Sequence, residues 1–509
     1  MSTTPANERS TNPTGEKTPP PPQESSTPVK ETPLLLGMQK ILFAVSEVAP
    51  FIATGGMAQV VSALPKALSA MNQGFDIRIV SPYYQRVRHQ YGHAMEFIGH
   101  LQVPLAWRSL YCGVFRVVQD QVTYYFLDNE YYFNRENAYG YLDDGERFAF
   151  FSAAVLASLE LMQFTPDIIH CHDWQSALVP IYLKTRYAAI YPQVKSVFTI
   201  HNIQYQGSFN INLHYDIFGV EDWNRHLVEF NGDINLMKGA IVCCDRLTTV
   251  SPSYAEEIKY GGGYGLEPII NIYHHKLSGI LNGIDISLYD PETDPTLALN
   301  FSRDTLEHKV HNKKALQALF GLPVAPRTPV LCMVSRLVPH KGIDLLTTVV
   351  EDLLSDNIQL VILGTGDHHY ELYFQDLARH RPDKVAVNIA FNPEISNKII
   401  AGSDMMLMPS ASEPCGLSQM IACRYATIPI ARATGGLKDT ITDCRGGVGN
   451  GFVFEQYDPV DLISTIRVAV DLYKHYEEDW KNLMGEAMRS DFSWDLSAKA
   501  YAELYAGLR

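Results

Sequence analysis

Positive charge is scarce in this chain. Its 509 residues include 41 Lys and Arg against 56 Asp and Glu, which gives a formal net charge of −15 at neutral pH. Nucleic-acid binding requires Lys and Arg clustered over a broad face, because phosphate contacts supply most of the affinity. We therefore expect no nucleic-acid partner. A small anionic ligand needs only a few well-placed cations and is compatible with this composition.

The sequence also lacks the marks of secreted and membrane proteins. It has no signal peptide, no apolar run long enough to cross a bilayer, and no Cys-x-x-Cys pair among its eight cysteines. Most of these cysteines stand inside apolar runs, which is typical of buried thiols in a reducing compartment. We therefore expect a cytoplasmic protein that does not associate with membranes.

Large apolar side chains are nearly missing from residues 1–36, where Pro, Thr, Ser and Glu dominate. Such a segment cannot bury enough surface to offset its ordering entropy, so it is predicted to be a disordered tail. The rest of the chain exceeds what one hydrophobic core usually covers, which favours two large domains.

From residue 38 onward, short apolar runs alternate with stretches of helical spacing. One series opens with a strand over 40–45, the loop Thr54-Gly55-Gly56 and a helix over 57–70, and a second opens with a strand over 330–334. This alternation predicts parallel sheets and an α/β fold of two Rossmann-like domains, over 38–295 and 300–485. Ligands bind such domains at the carboxyl ends of strands, so we expect the two edges to face each other across a cleft.

Four polar clusters follow predicted strands at these carboxyl ends. The first, residues 170–174 (HCHDW), offers polar groups beside an indole to a polyhydroxylated ligand; a metal site there has little support, because no third ligand is evident. The second is His201-Asn202, although a lone histidine is more often structural. The third, Arg336 with Lys341, suits a diphosphate, although a solvated surface pair has the same composition.

The fourth cluster lies in residues 408–439 and combines a carboxylate with a helix start. Glu413 is followed by a Pro-Cys-Gly turn and by the amphipathic run 417–425. Unpaired N–H groups and the macrodipole favour an anion at the first turn of a helix. An ordinary strand-loop-helix connection shows the same residues, but a second junction at Thr434-Gly435-Gly436 on the same predicted edge favours a cleft.

A series of short motifs makes the chain resemble the bacterial-type glycogen and starch synthases over residues 39–509. The motifs occur in the family's order: SEVAPFIATGG, DDGERFAFFS, HCHDWQSALVP, TIHNIQYQG, TTVSPSYAEEI, GYGLE, LNGID, VSRLVPHKG, GTGD, PSASEPCGLSQ, ATGGLKDT and FSW. The resemblance implies a GT-B architecture, with an N-terminal domain for the glucan acceptor, a C-terminal domain for the nucleotide sugar, and a last helix within 486–509 that returns to the first domain. It further implies transfer of glucose from ADP-glucose to the non-reducing end of an α-1,4-glucan with retention of configuration, without metal or other cofactor.

The resemblance also gives roles to residues of this chain. His201 matches the essential histidine near the glucose 6-hydroxyl, Arg336 and Lys341 match the diphosphate-binding pair, and Glu413 matches the carboxylate beside the transferred glucose. Phe391 stands where the family often stacks an aromatic ring on adenine. The matches that line the substrate site are Gly55, Gly56, Asp173, Asn202, Phe391, Cys415, Gly416, Leu417 and Ser418.

The first glycine loop departs from the family pattern. Ala53 stands where the family has a lysine that contacts the nucleotide sugar, and Gln59 stands at a usually acidic position. Such a charge-assisted contact is worth about 1.5 to 3 kcal/mol. Donor binding is then weaker, or Lys66 or Arg86 supplies the charge, or the protein is a glucan-binding pseudoenzyme or scaffold. A retaining glucosyltransferase that uses UDP-glucose is a further alternative.

Overall fold

The computed structural model describes residues 38–71, 74–390 and 392–509. The predicted tail over 1–36 lies outside the described residues. Within the described part, none of the helices combines the length and apolar character that crossing a membrane requires.

The first half of the described chain is built on a large mixed sheet. The strands of this half are β1 (Gln39–Ala44), β2 (Phe75–Pro82), β3 (Glu96–Leu105), β4 (Arg108–Gln119), β5 (Val122–Asp128), β6 (Ile168–His172), β7 (Lys195–Ile200), β8 (Ser208–Phe209), β9 (Glu229–Phe230), β10 (Asp233–Asn235), β11 (Arg246–Thr249) and β12 (Leu277–Gly279). Its helices are α1 (Gly56–Ala70), α2 (Gln85–Tyr91), α3 (Glu130–Phe133), α4 (Asp144–Ala157), α5 (Leu178–Lys184), α6 (Arg225–Val228), α7 (Leu236–Cys243), α8 (Pro252–Glu257) and α9 (Glu267–Ile272).

The strand order in the large sheet is β12-β11-β7-β6-β1-β2-β5-β4-β3. The strands from β12 to β5 pair in parallel, whereas β4 pairs antiparallel with both β5 and β3. Strands β8, β10 and β9 form a separate small antiparallel sheet. The antiparallel extension over 96–128 was not part of the strand-helix alternation seen in the sequence.

The second half is built on a parallel sheet of the order β15-β14-β13-β16-β17-β18. Its strands are β13 (Val330–Val334), β14 (Gln359–Leu363), β15 (Val385–Asn388), β16 (Met405–Met408), β17 (Ile428–Arg432) and β18 (Phe452–Phe454). Its helices are α10 (Lys309–Leu319), α11 (Ile343–Ser355), α12 (His368–His380), α13 (Pro393–Gly402), α14 (Ser418–Arg424), α15 (Gly435–Thr440), α16 (Pro459–His475), α17 (Glu477–Arg489) and α18 (Trp494–Ala506).

The central strands are apolar because helices cover both faces of each sheet. Every residue of β6 and of β14 is buried. The parallel strands of a sheet end at the same edge. The loops that follow β1, β6 and β7 therefore lie at one edge of the first sheet, and those that follow β13, β16 and β17 lie at one edge of the second. The predicted domain boundaries at 295 and 300 stay predictions, and they fall between the two sheets.

Helix α8 joins the first half to the second. The Ser251 hydroxyl at its N-cap donates to the carbonyl of Pro414 (2.6 Å), and Ser253 donates through its backbone N–H and its hydroxyl to Asp439 (2.8 and 2.7 Å). At the other end of the helix, the Glu257 carboxylate accepts from the backbone N–H of Gly435 (2.7 Å). These contacts hold the loops of the second half against the first.

Helix α18 returns to the first half at the end of the chain. The Gln39 side chain, on β1, donates to the carbonyl of Tyr505 (3.2 Å), and the Tyr505 hydroxyl hydrogen-bonds Nδ1 of His170 on β6 (2.7 Å). The last helix therefore lies directly behind the strands that carry the first polar cluster.

Candidate active site

An ion pair between two loops forms the centre of the second-half edge. Lys341 follows β13, Glu413 follows β16, and Lys341 Nζ lies 2.5 Å from Glu413 Oε2. The Ser410 hydroxyl also donates to this carboxylate oxygen (3.2 Å), and Glu413 is only 6 % exposed. The loops approach this closely because Gly342 has φ +74° and no side chain: a Cβ there would lie 2.0 Å from the carbonyl oxygen of Pro409.

The second glycine loop fixes the backbone of Glu413. The N–H of Gly436 donates to the Glu413 carbonyl (3.1 Å). Gly435 has φ +44°, and a Cβ on it would lie 2.0 Å from the same carbonyl oxygen. Only glycine fits this position, so the junction that the sequence placed at the same edge supports the carboxylate directly.

Arg336 lies in the same loop as Lys341. It is exposed and forms no ion pair within the described residues. Burial together with the charges of Lys341 and Arg336 lowers the pKa of His340, which lies between them in sequence. The two cations predicted to bind a diphosphate therefore lie in one loop, beside Glu413.

The opposite edge, in the first half, is organised by Asp173. This residue follows β6 with φ +54°, and its Oδ1 accepts from the backbone N–H groups of His201 (2.8 Å) and Asn202 (3.5 Å). Burial raises the pKa of Asp173 to about 7, against the lowering effect of these two hydrogen bonds. Asp173 thus ties the loop after β6 to the loop after β7 and places His201 and Asn202 beside it.

Three histidines lie together behind this loop. Strand β6 runs through His172, so His170 and His172 share a face and their ring centroids are 4.2 Å apart. Nδ1 of His172 hydrogen-bonds Nε2 of His201 (2.9 Å). Burial lowers the pKa of His170 to about 3 and lowers the pKa of His172 and His201 far below the usual range, so all three rings are neutral.

A second carboxylate, Glu47, was missed in the sequence. It follows β1 and accepts from the backbone N–H of Thr54 (2.6 Å) and from the Thr54 hydroxyl (2.5 Å), which shapes the first glycine loop. Burial raises the pKa of Glu47, and its charge contributes to the raised pKa of Asp173, so the two carboxylates are neighbours. The signal available was a glutamate at the carboxyl end of the first strand, seven residues before a threonine.

Neither cation considered for the missing lysine contacts this loop. Ala53 is exposed. Lys66 Nζ binds Asp120 (2.7 Å) and lies ten residues into α1, about 15 Å along the helix from its start. Arg86 donates to Gln90 on its own helix (3.4 Å). The suggestion that Lys66 or Arg86 supplies the charge is therefore not supported by their contacts in the structure.

The two edges meet where the first glycine loop faces the turn after Glu413. A Cβ on Gly56 would lie 3.8 Å from Leu417 Cδ1. The turn itself needs Gly416, which has φ +73°, and the Gln419 side chain holds it by donating to the carbonyls of Cys415 and Gly416 (3.0 Å each). Helix α14 begins at Ser418 and has seven residues. Anion binding at its start stays a prediction.

An open groove of about 570 Å³ lies in the first half. Trp174, directly after Asp173, forms part of its wall and packs edge-on against Phe148, with ring centroids 5.3 Å apart. The groove combines aromatic rings with amide and hydroxyl groups, as sugar binding requires. The lining residues are Asp144, Trp174, Tyr264 and residues 204–209.

Two expectations are not tested by this geometry. Phe391, the expected adenine-stacking residue, lies outside the described residues. Among the residues that the structure describes, no cluster of three or more His, Cys, Asp or Glu side chains is placed to hold a metal ion. That the reaction needs no metal stays a prediction.

The chain is similar to known proteins in its family matches, in its sequence and in its structure. Residues 40–272 match the family model described as "Starch synthase catalytic domain", and residues 319–482 match "Glycosyl transferases group 1". Glycogen synthases of Bacillus cereus and Desulforamulus reducens are each 45 % identical, over 92 % of this chain and 99 % and 98 % of theirs.

Two solved structures share the fold. The catalytic domain of starch synthase IV from Arabidopsis thaliana, bound to ADP and acarbose, superposes with a TM-score of 0.86 at 33 % identity, over 93 % of this chain and 99 % of that one. Sucrose-phosphate synthase from Thermosynechococcus elongatus, at 17 % identity, superposes with a TM-score of 0.58 over 92 % and 99 %. The second match bears on the fold alone.

The loops at the carboxyl edges of the two α/β units meet, with the Lys341–Glu413 pair on one side and the histidine cluster on the other. This is a two-domain glycosyltransferase with the GT-B architecture, as predicted. The chain belongs to the glycogen and starch synthases, which confirms the resemblance seen in the motifs. It is therefore an enzyme of the retaining hexosyltransferase class.

Proposed function

We propose that the protein transfers glucose from ADP-glucose to the 4-hydroxyl at the non-reducing end of an α-1,4-glucan with retention of configuration. The observation that carries this proposal is the ion pair of Lys341 with the buried Glu413 beside the exposed Arg336. Adenine nucleotide is favoured because a 33 % identical starch synthase was solved with ADP and acarbose.

The second-half edge would bind the donor. A lysine ammonium has three donors, so Lys341 can keep its contact with Glu413 and still donate to a phosphate oxygen. Arg336, which pairs with no carboxylate among the described residues, offers its guanidinium fork to the same diphosphate. As the sugar–phosphate bond breaks, the two cations stabilise the leaving diphosphate and Glu413 stabilises the positive charge that develops on the sugar.

The first-half edge would bind the sugar and the acceptor. His201 and Asn202 are held beside Asp173, and the groove at Trp174 adjoins them. A double displacement would need a carboxylate nucleophile on the face of the sugar opposite the leaving group. The two carboxylates at this edge already position loops, since Asp173 binds the N–H groups of His201 and Asn202 and Glu47 binds Thr54. We infer a same-face reaction in which the departing phosphate takes the proton of the acceptor hydroxyl.

The proposal includes no metal and no other cofactor, since two cations already stand at the leaving group. We also propose a cytoplasmic location, supported by the eight cysteines, which are all free thiols.

The test is incorporation of radiolabelled glucose into glycogen from ADP-glucose and from UDP-glucose, with and without EDTA. We expect incorporation from ADP-glucose, insensitivity to EDTA, and release of the label by a β-amylase specific for α-1,4 linkages. Preferential use of UDP-glucose would overturn the donor assignment. The exposed Ala53, which neither Lys66 nor Arg86 replaces by its contacts, favours one second candidate, a glucan-binding protein without transfer. Zero incorporation from either donor would support it.

A further inference from the structure

His172 is buried and yet has one polar atom without a partner. Its ring is 0 % exposed and stacks on Phe43, with centroids 5.4 Å apart and an interplanar angle of 20°. Nδ1 hydrogen-bonds Nε2 of His201 (2.9 Å), whereas Nε2 is inaccessible to solvent and has no hydrogen-bond partner within the described residues. This asymmetry determines where the protons of the pair reside.

Both rings are neutral, because burial lowers the pKa of each far below its usual range and the neighbouring His170 lowers the pKa of His172 further. A neutral imidazole carries one N–H and one bare nitrogen. The hydrogen bond therefore has two possible arrangements, and each one places the second proton of the pair on a different atom.

In the first arrangement, Nδ1 of His172 donates to Nε2 of His201. Nε2 of His172 is then a bare acceptor, and the proton of His201 is on Nδ1. In the second arrangement, His201 donates from Nε2, so that the proton of His172 sits on its own Nε2, as a buried N–H without an acceptor among the described residues. Orphaned buried N–H donors are rarer in proteins than acceptors without a full set of partners. The first arrangement is therefore favoured.

We propose that His172 is a positioning residue that donates to His201 and thereby keeps the proton of His201 on Nδ1. The His201 side chain is only half-buried, and Nδ1 makes no hydrogen bond within the described residues, so this is the ring nitrogen left to meet a ligand. His201 then offers an N–H donor, not a bare nitrogen, to an oxygen of the sugar or its leaving group. The loop is fixed independently, through the bond from the His201 backbone to Asp173 (2.8 Å).

The first readout is nitrogen NMR of protein labelled with ¹⁵N-histidine, because the chemical shift distinguishes a protonated ring nitrogen from a bare one. The His201 signals are assigned by their loss in His201→Gln. We expect Nδ1 protonated and Nε2 bare in the wild type. A proton on Nε2 of His201 would overturn the proposal. This readout does not depend on activity, so it stands even if the proposed function fails.

The second readout rests on the proposed function and uses transfer from ADP-glucose. His172→Phe keeps a flat ring against Phe43 but removes the donor, and we expect kcat to fall about tenfold, the value of one hydrogen bond, with little change in the donor KM. In this variant the His201 proton should redistribute between its two nitrogens. His172→Asn supplies an amide N–H near the position of Nδ1 and should recover most of kcat.

The matched control is His170→Asn, on the same strand. His170 is equally buried but hydrogen-bonds Tyr505 and Thr199, not His201, so this change should leave the His201 tautomer as in the wild type. A folded His172→Phe with wild-type kcat and an unchanged tautomer would contradict the proposal. So would a folded His172→Asn that behaves like His172→Phe. If His172→Phe fails to fold, the wild-type spectrum still shows which nitrogen of His201 carries the proton, and the kcat of His172→Asn still shows whether an N–H donor is enough.

Discussion

Gly435→Ala is the substitution whose effect follows most directly from the geometry. The residue has φ +44°, and a Cβ on it would lie 2.0 Å from the carbonyl oxygen of Glu413, where contacts below 3.0 Å essentially never occur. An alanine in the left-handed region costs about 1 to 2 kcal/mol. Relieving the overlap costs about 1 to 3 kcal/mol more, because backbone must move. We expect a total loss of about 2 to 5 kcal/mol in the free energy of unfolding.

The same shift displaces Glu413, and a displacement of about 1 Å in a site of this kind can cost about a hundredfold in rate. The assay is urea unfolding together with kcat for transfer from ADP-glucose. Gly485→Ala is the control: it lies inside α17 with nothing within 4 Å of its Cβ, so alanine should stabilise the helix by about 0.5 to 1 kcal/mol. A Gly435→Ala protein within about 0.5 kcal/mol of wild type, with normal kcat, would refute the close packing of this loop on Glu413.

Three further outcomes are expected. Ala53→Lys should lower the KM for ADP-glucose about tenfold or more by restoring one charge-assisted contact; an unchanged KM would show that the contact is not made. Glu257→Ala should lower the free energy of unfolding by about 1 to 3 kcal/mol, because it leaves the N–H of Gly435 unpaired. The control, Glu256→Ala on the exposed face of α8, should lower it by less than about 0.5 kcal/mol. Equal losses in the two variants would contradict the role of Glu257. The pKa of His170 falls from 6.5 to about 3 on folding, so only the unfolded state binds the proton between these values and the free energy of unfolding falls as pH falls through that window. In urea unfolding at pH 4, 5 and 6, His170→Asn should weaken the dependence of this free energy on pH by about 1.4 kcal/mol per pH unit. The same pH dependence in the variant and the wild type would mean that the ring titrates normally.

The sequence was sufficient for the parallel parts of the fold, because buried parallel strands produce apolar runs that alternate with helical spacing. It also located the glycine loops, since the positive φ of Gly342, Gly416 and Gly435 makes glycine necessary there. The antiparallel strands β3 to β5 were not predicted from the sequence. Only two of the ten residues of β3 are buried, so its pattern differs from the buried runs that marked the parallel strands.

The pairings within the site depended on contacts between distant parts of the chain. Lys341 and Glu413 stood in separate motifs with separate expected roles, and only the approach of Gly342 to Pro409 brings them into an ion pair. His172 was predicted only as one polar group of the cluster over 170–174, because the bond that gives it a role joins the ends of two different strands. Sequence spacing carries no information about such pairs unless the strand register is known.

The central claim is that glucosyl transfer takes place at the Lys341–Glu413 pair. The most direct test is kcat for incorporation from ADP-glucose in Glu413→Gln, which keeps the shape and removes the charge, beside Glu351→Gln, whose surface pair with Arg381 (3.0 Å) lies outside the site. We expect Glu413→Gln to lower kcat about a hundredfold or more, whereas Glu351→Gln should leave it unchanged. A folded Glu413→Gln protein with kcat within about twofold of wild type would contradict the account.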